Sequence, residues 1–562
     1  MAYILQSWGQ RKSGTPPVRA DETMNRPDPY IDSDTELPRV LLASNREPFR
    51  IIRDANGEVS RCERSIGGLA SALSPVLERC DGVWVSWDPD VLGADDDDRT
   101  REQNGDGIPF PMIQVGLRKS EVKGYYNGFC NRALWPLCHT VLRCVTPRLD
   151  YWQDFRAIND RFADVIASRS KKYEVIWIHD YHLMLVPAAM RRRIDPQHRI
   201  GYFHHVPFPN VRVLKAFPWH RQLIKGLLGA DAIGFHTPEY AGNFIECCQE
   251  LVGCDTRSEP GTVHHGKHKT VVRVRPIGVD ASRFAALAHE RGVQNDAIGI
   301  RRQYPCERFV LSVDRIDYAK GIVERIEAIR SLFARIPQCR GIVTFMQVAV
   351  PTRTDVPEYQ QYRAKVEAAV KALNAEFAHG DWKPLIYRTE PLKRRELVAH
   401  YLAADVACVT PLADGMNLIA SEYCASRTDG DGALVLSTQA GASTILGEFA
   451  ITVDIRKQES VVTGILQALT MSEAERAQRM QRLRSIVMNN TTGRWLHRCV
   501  HDIVQPKPAD AEELAALAKA VHVRRGSAGE RLRAGSAKER SVSHSSRPAA
   551  KRAPAANVPP AH

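Results

Sequence analysis

At 562 residues the chain is longer than a single hydrophobic core grows, so two or more domains are expected. Its apolar fraction of 44% is ordinary for a globular protein, and no run of 18 apolar residues is present, which excludes a conventional membrane-spanning helix. The net charge of +12 invites a nucleic-acid reading, but nine Lys/Arg against two Glu from Val521 onward put +7 in one tail and leave +5 for residues 1–520.

Residues 1–37 are polar, lack a period and read as a disordered leader. The opening MAYILQSWGQRKSG has neither the basic start nor the apolar stretch of a secretory signal. The ordered chain is expected to begin at RVLLASN. Similar apolar runs recur as GVWVSW near 82, VIWIHD at 175, IGYFHH at 200, AIGFHT at 232 and VVRVRPIG at 271. A second series follows: RFVLSV at 308, GIVTFMQV at 341, PLIYRT at 384, VACVTPL at 406 and ALVLST at 433. Helical patterns such as YWQDFRAINDRFADVIAS from 151 and GIVERIEAIRSLFARI from 321 lie between them. Strands apolar on both faces, alternating with helices, predict α/β domains built on parallel sheets. Two series predict two doubly wound domains, at 38–285 and 286–505, with the last helix free to cross back. The stretch GADDDDRTREQNGDG, from 93, reads as a solvated loop. Residues 506–562, rich in Ala, Ser, Pro and basic groups, read as a disordered tail. The thirteen cysteines lack C-x-x-C spacing, and their odd number points to reduced thiols. Adjacent Cys247 and Cys248 read as helix residues rather than a redox pair.

Several strand ends carry chemistry. Arg46 follows the first strand, and Gly67 and Gly68 stand where a helix begins. Tyr126 and Trp135 fit either a core or a sugar-facing wall. Asp180 ends the third run, flanked by His179 and His182, while His204 and His205 end the fourth. The H-x-x-H at 179 and 182 crosses a strand end, so a metal role is disfavoured. In the second half Arg315 and Lys320 follow the first strand. VTPLADGMNLIASEY reads as strand, tight loop and helix, with Asp414 as the cap. Gly415 allows close approach there, and the amides of Gly415, Met416, Asn417 and Leu418 point outward. Such a helix start attracts phosphate oxygens, and two nearby cations would strengthen it. Glu422 could accept hydrogen bonds from two ribose hydroxyls. The alternative for Arg315 and Lys320 is surface pairing with Asp314, Asp317 or Glu324.

Taken in order, S-N-R at 44, G-G-L at 67, YYN…LWP at 125, WIHDYHL at 177, HVPFP at 205, SVDRIDYAKG at 312, PTRTDVPEY at 351 and DGMNLIASEY at 414 resemble the trehalose-6-phosphate synthase family of retaining glycosyltransferases. The resemblance covers about 38–505. It implies a GT-B architecture, two Rossmann-like doubly wound domains facing a cleft. It implies glucose transfer from a nucleotide-glucose, UDP-glucose above others, to glucose 6-phosphate, giving α,α-trehalose 6-phosphate. It places Asp180, His205, Arg315 and Lys320 at the catalytic centre. Donor binding falls to Gly68, His205, Arg315, Lys320, Asp414, Gly415, Met416, Asn417, Leu418 and Glu422. Acceptor binding falls to Arg46, Tyr126, Trp135, Asp180 and Arg353. No metal or cofactor is expected. The implied setting is the cytoplasm, with a separate trehalose-6-phosphate phosphatase downstream, no membrane, a nucleic-acid role disfavoured and a homo-oligomer left open.

Ala413 and Ser421 depart from the family pattern, which commonly has arginine and lysine there, and leave the donor base undecided. Related glucosylglycerol-phosphate synthases would use glycerol 3-phosphate, and a non-catalytic sugar-phosphate sensor would be expected to lose site groups. Deleting residues 510–562 is expected to leave turnover intact, which an assay of the truncated chain would check.

Overall fold

The computed structural model describes residues 38–509 and 515, apart from 54–58, 65–72, 75–76, 78–79, 89–99, 106–107 and 305. The leader, Gly67 and Gly68, Asp95–Asp98 and most of the basic tail lie outside the described residues.

In chain order the first half forms β1 (Val40–Arg46), a separate hairpin of β2 (Phe49–Arg53) and β3 (Val59–Arg64), then β4 (Val83–Asp88), β5 (Thr100–Gly105), β6 (Ile108–Gly116), β7 (Val175–His179), β8 (Arg199–His204), β9 (Ala232–Phe235), β10 (Thr262–His265) and β11 (His268–Val274). Apart from the hairpin these make one sheet, ordered β10-β11-β9-β8-β7-β1-β4-β6-β5. Its inner pairs are parallel, and the edge strands β5 and β10 run antiparallel. The second sheet contains β12 (Arg308–Arg315), β13 (Val343–Val350), β14 (Leu385–Arg388), β15 (Val406–Val409), β16 (Ala433–Ser437) and β17 (Ile451–Val453), ordered β14-β13-β12-β15-β16-β17 and all parallel.

Strands such as β7 and β16 are buried at every position, as their continuous apolar runs require. The acidic stretch departs from the loop expectation. Its second part, Thr100–Gly105, is the edge strand β5, a polar segment that carries no apolar alternation and so gives no strand signal. None of the thirteen cysteines is in a disulfide, and Cys247 and Cys248 are both buried.

Strand order decides where a ligand can go. In the first sheet the chain lays β4 and β6 on one side of β1, then returns to lay β7, β8 and β9 on the other. In the second sheet β13 and β14 lie on one side of β12, and β15, β16 and β17 on the other. Loops leaving such a reversal diverge and open a crevice at the carboxyl edge. Arg46 and Arg315 end β1 and β12, Asp180 follows β7, and Asp414 lies in the turn after β15.

The principal helices are α1 (Leu149–Arg169), α2 (Ile322–Arg335), α3 (Pro357–Phe377), α4 (Leu418–Ser426), α5 (Glu473–Asn489) and α6 (Thr492–Val504). After α5 has packed on the second half, α6 returns to the first sheet. There Trp495 meets Trp177 at 5.4 Å and donates through Nε1 to the Arg275 carbonyl at 3.1 Å. Asp502 takes both Arg275 (2.8 Å) and Arg273 (3.4 Å). Removing a buried carboxylate strands its cations, so Asp502→Ala is expected to cost about 3 kcal/mol and lower the midpoint of thermal unfolding.

Candidate active site

Of the residues expected to bind the donor, Arg315, Lys320, residues 414–418 and Glu422 gather at the β12/β15 crevice, while His205 follows β8 in the first half. Lys320 is 8% exposed and donates to Asp414 Oδ2 at 2.5 Å. Burial opposes the charge on Asp414, but Lys320 outweighs it and holds the carboxyl below its usual range. Asp414 is therefore the counterion of Lys320, not the cap of α4. The position before the helix belongs to Asn417, in a left-handed conformation at φ +69°, and its Nδ2 also donates to Asp414 at 2.9 Å. Among the described residues the backbone N–H groups of Gly415, Met416, Asn417 and Leu418 find no protein acceptor, so this turn keeps its capacity for an anion. Arg315 is exposed and makes no ion pair among the described residues. The pairing suggested as an alternative for these cations does not occur: Asp314 binds Arg325 at 2.7 Å and Asp317 binds Arg353 at 2.9 Å. Glu422 lies further along α4 and accepts from the Tyr401 hydroxyl at 2.9 Å. Burial raises its carboxyl to about 7.

Most of the expected acceptor residues gather at the β1/β7 crevice. Arg46 donates to the Tyr126 hydroxyl at 2.7 Å and lies over the Tyr126 and Trp87 rings. Tyr126 belongs to Val122–Leu134, thirteen residues of wide π-type helix, a geometry found mostly as single turns and often at functional sites. Trp135 follows directly. Its ring covers the Arg353 guanidinium at 4.0 Å, and its Nε1 lies 3.4 Å from Asp317. Arg353 comes from the second half, after β13, yet both Arg353 and Arg46 act electrostatically on Tyr126 and His182. Arg353 also donates to Tyr359 at 2.7 Å, and its buried Nε has no protein partner among the described residues.

Asp180 joins the two groups. Burial raises its carboxyl to about 6, while Arg353 and Arg315 pull it down. It accepts from the His205 amide at 3.2 Å. The His205 carbonyl in turn presses on Gly415, where a Cβ would collide with it, so Gly415 serves the approach of the two halves as well as any ligand. Asp180, Arg353 and Asn417 all have positive φ, at +73°, +51° and +69°. Such residues cost about 1–3 kcal/mol each and persist where the surroundings over-determine them.

Sequence reasoning missed Asp317, Tyr359, Tyr401, Tyr181 and His139 as site components. Asp317, Tyr359 and Tyr181 lie inside the motifs already singled out, which was the available signal; Tyr181 meets Arg353 at 3.5 Å. Tyr401 and His139 carry none, and His139 packs on Trp135 with ring centroids 4.0 Å apart. Gly68 lies outside the described residues. A cavity of about 280 Å³ opens beside this site against Ile316, Pro351, Tyr359 and Arg363, sharing Tyr359 but none of the expected donor or acceptor residues.

Two α/β sheets presenting charged carboxyl edges to one another define a GT-B protein. A solved E. coli structure described as trehalose-6-phosphate bound with UDP-2-fluoro glucose matches with a TM-score of 0.75 and 29% identity, covering 84% of this chain and all of the other. An α,α-trehalose-phosphate synthase (UDP-forming) from Burkholderia xenovorans, in complex with glucose-6-phosphate, matches with a TM-score of 0.75 and 30% identity over 83% of this chain and all of its own. The model of glycosyltransferase family 20 matches residues 38–505, and the chain belongs to that family. Among relatives, the bifunctional trehalose-6-phosphate synthase/phosphatase of Thermoproteus tenax is 34% identical over 491 residues, 85% of this chain. The chain spans just under two thirds, 65%, of that relative's length.

Six histidines are held neutral around the site. Burial lowers His139 and His236 to about 4, His179 and His204 to about 3, and His182 and His205 well below their usual range. Well above pH 6.5, beyond about pH 7.5, neither native nor unfolded histidine is charged, and they add nothing to the pH dependence. Below it the unfolded chain takes up protons that the native state refuses, so stability falls by up to about 1.4 kcal/mol per histidine per pH unit. Raised carboxyls at Asp154, Asp180, Asp314 and Glu422 act in the opposite sense but are fewer than the six histidines. The urea midpoint is expected to be clearly lower at pH 5 than at pH 7, as equilibrium unfolding would show.

Proposed function

We propose that the chain transfers glucose from UDP-glucose to glucose 6-phosphate with retention, forming α,α-trehalose 6-phosphate and UDP. The observation that carries this reading is the opposed placement of two cationic groups around Asp180. Arg46 and Arg353 stand on one side, and Arg315, Lys320 and the free amides of 415–418 on the other. A phosphorylated acceptor and a diphosphate donor need such a pair of anion sites. The names of the similar proteins support the same chemistry, since one structure holds UDP-2-fluoro glucose and another glucose-6-phosphate.

In this reading Asp180 orients the acceptor hydroxyls, while His205 and Asp414 face the transferred glucose. Breaking the anomeric C–O bond leaves negative charge on the diphosphate. Arg315, Lys320 and the amides before α4 stabilise that charge more as it grows, each well-placed donor being worth a few kcal/mol. The acceptor hydroxyl gives its proton to the departing diphosphate oxygen as the new C–O bond forms on the same face. Glu422 holds the donor ribose. Ala413 and Ser421 lie on this side; the Ala413 amide donates to the Ala319 carbonyl at 3.2 Å, and Ser421 is buried on α4. The two domains divide between residues 285 and 286. The product's phosphate would be removed by a separate phosphatase, in the cytoplasm.

UDP-, ADP- and GDP-glucose crossed with glucose 6-phosphate and glycerol 3-phosphate test the reading through nucleoside diphosphate release. UDP-glucose with glucose 6-phosphate is expected to turn over fastest. Turnover with glycerol 3-phosphate alone would replace the acceptor, and no turnover with any pair would favour a sensor. Arg46 is exposed, so Arg46→Ala should leave the fold intact. It is expected to raise the acceptor KM about 10-fold or more, the scale of a lost charged hydrogen bond, with donor KM within about twofold of wild type.

A further inference from the structure

We propose that Arg325 is a positioning residue for the donor side, a role that rests on the donor reading above. Arg325 lies in the first turn of α2, and its side chain is 1% exposed. Its Nε donates to Thr410 Oγ1 at 2.8 Å, Nη1 to Asp314 Oδ2 at 2.7 Å and to Gln347 Oε1 at 2.6 Å, and Nη2 to the Lys320 carbonyl at 3.3 Å. These partners come from the end of β12, from β13, from the turn after β12 and from the residue that follows β15. One planar group therefore spans both walls of the crevice.

The segments it joins are the two that carry the donor groups. Asp314 immediately precedes Arg315. The Lys320 carbonyl belongs to the residue whose ammonium meets Asp414. Thr410 is buried and begins the turn that leads to Asp414. Backbone contacts join the same walls: the Leu412 amide donates to the Ala319 carbonyl at 2.8 Å, and Gly321 packs against the Thr410 carbonyl. Arg325 itself cannot touch a ligand, because it is enclosed and its charge is matched by Asp314, also 4% exposed at its side chain. It sets the distance between the cations after β12 and the amides after β15. A diphosphate that must reach both is sensitive to that distance, since small misplacements of binding groups are costly. Among the described residues no hydrogen bond or ion pair joins Arg325 to Arg46, Tyr126 or Trp135 on the acceptor side.

Arg325→Met combined with Asp314→Leu removes the pair without stranding a charge, a change that folded proteins commonly tolerate. Thr410→Val removes one hydroxyl and tests the same link gently. UDP and glucose 6-phosphate are titrated separately into wild type and both variants by calorimetry, and donor and acceptor KM are measured alongside. The expected result is UDP binding weakened about 10-fold or more in the double variant and about threefold in Thr410→Val, with a matching rise in donor KM. Glucose 6-phosphate affinity and acceptor KM are expected to stay within about twofold, a split that general loosening of the fold would not produce. Should the double variant fail to fold, Thr410→Val decides. Unchanged UDP affinity in the folded variants, or equal loss of both ligands, overturns the positioning role. A wild type that binds no UDP overturns the donor reading itself, and this inference with it.

Discussion

Everything in this protein depends on two topological reversals meeting face to face. A parallel sheet offers polar loops at its carboxyl edge, and only where the winding direction changes do neighbouring loops part enough to admit a ligand. Here β1 and β7 form one such point and β12 and β15 the other. Their opposition brings Arg46 and Asp180 to the same space as Arg315 and Asp414. α6 helps to hold the halves together by returning to the first sheet, while Arg132 and Glu358 bind across at 2.9 Å near the site.

Within that space, positive charge is distributed rather than massed. Lys320 is matched by Asp414 and Arg353 by Asp317. Arg315 and Arg46 remain exposed. A pocket of bare cations would be costly to bury and would repel itself; paired cations can be held close together in a partly dry site. The carboxylates also give direction. Asp317 accepts from Arg353, Tyr359 and the Ala319 amide, with Trp135 Nε1 beside it, so one buried group ties Arg353 to the turn that ends at Lys320. Strained backbone at Asp180, Arg353 and Asn417 is consistent with a geometry fixed in advance of any ligand.

The histidines follow the same economy of space. His179 Nδ1 lies 3.0 Å from His205 Nε2, and the rings stack at 5.3 Å. Neutral imidazoles pack as flat polar groups and need no counterion, so they can line the wall behind Asp180 without adding charge to it.

The rhythm of apolar runs was enough to read the parallel sheets, because strands buried on both faces leave a continuous signal. It did not reveal the hairpin of β2 and β3, nor β5, β6, β10 and β17; β5 is polar throughout, and β10 and β17 are only four and three residues long. Motif residues such as Arg46, Asp180, Arg315 and Lys320 stood out because they lie at or just beyond strand ends. What could not be read was how they pair. Asp414 looked like a helix cap and is the partner of Lys320; Trp135, which fitted either a core or a sugar-facing wall, lies against Arg353. The amino-acid sequence by itself determined the α/β layers, the family and the strand ends where charge collects. Only the tertiary structure decided which carboxylate neutralises which cation, because those pairs join residues 36 and 94 positions apart, and charge pairing depends on distances that no local pattern encodes.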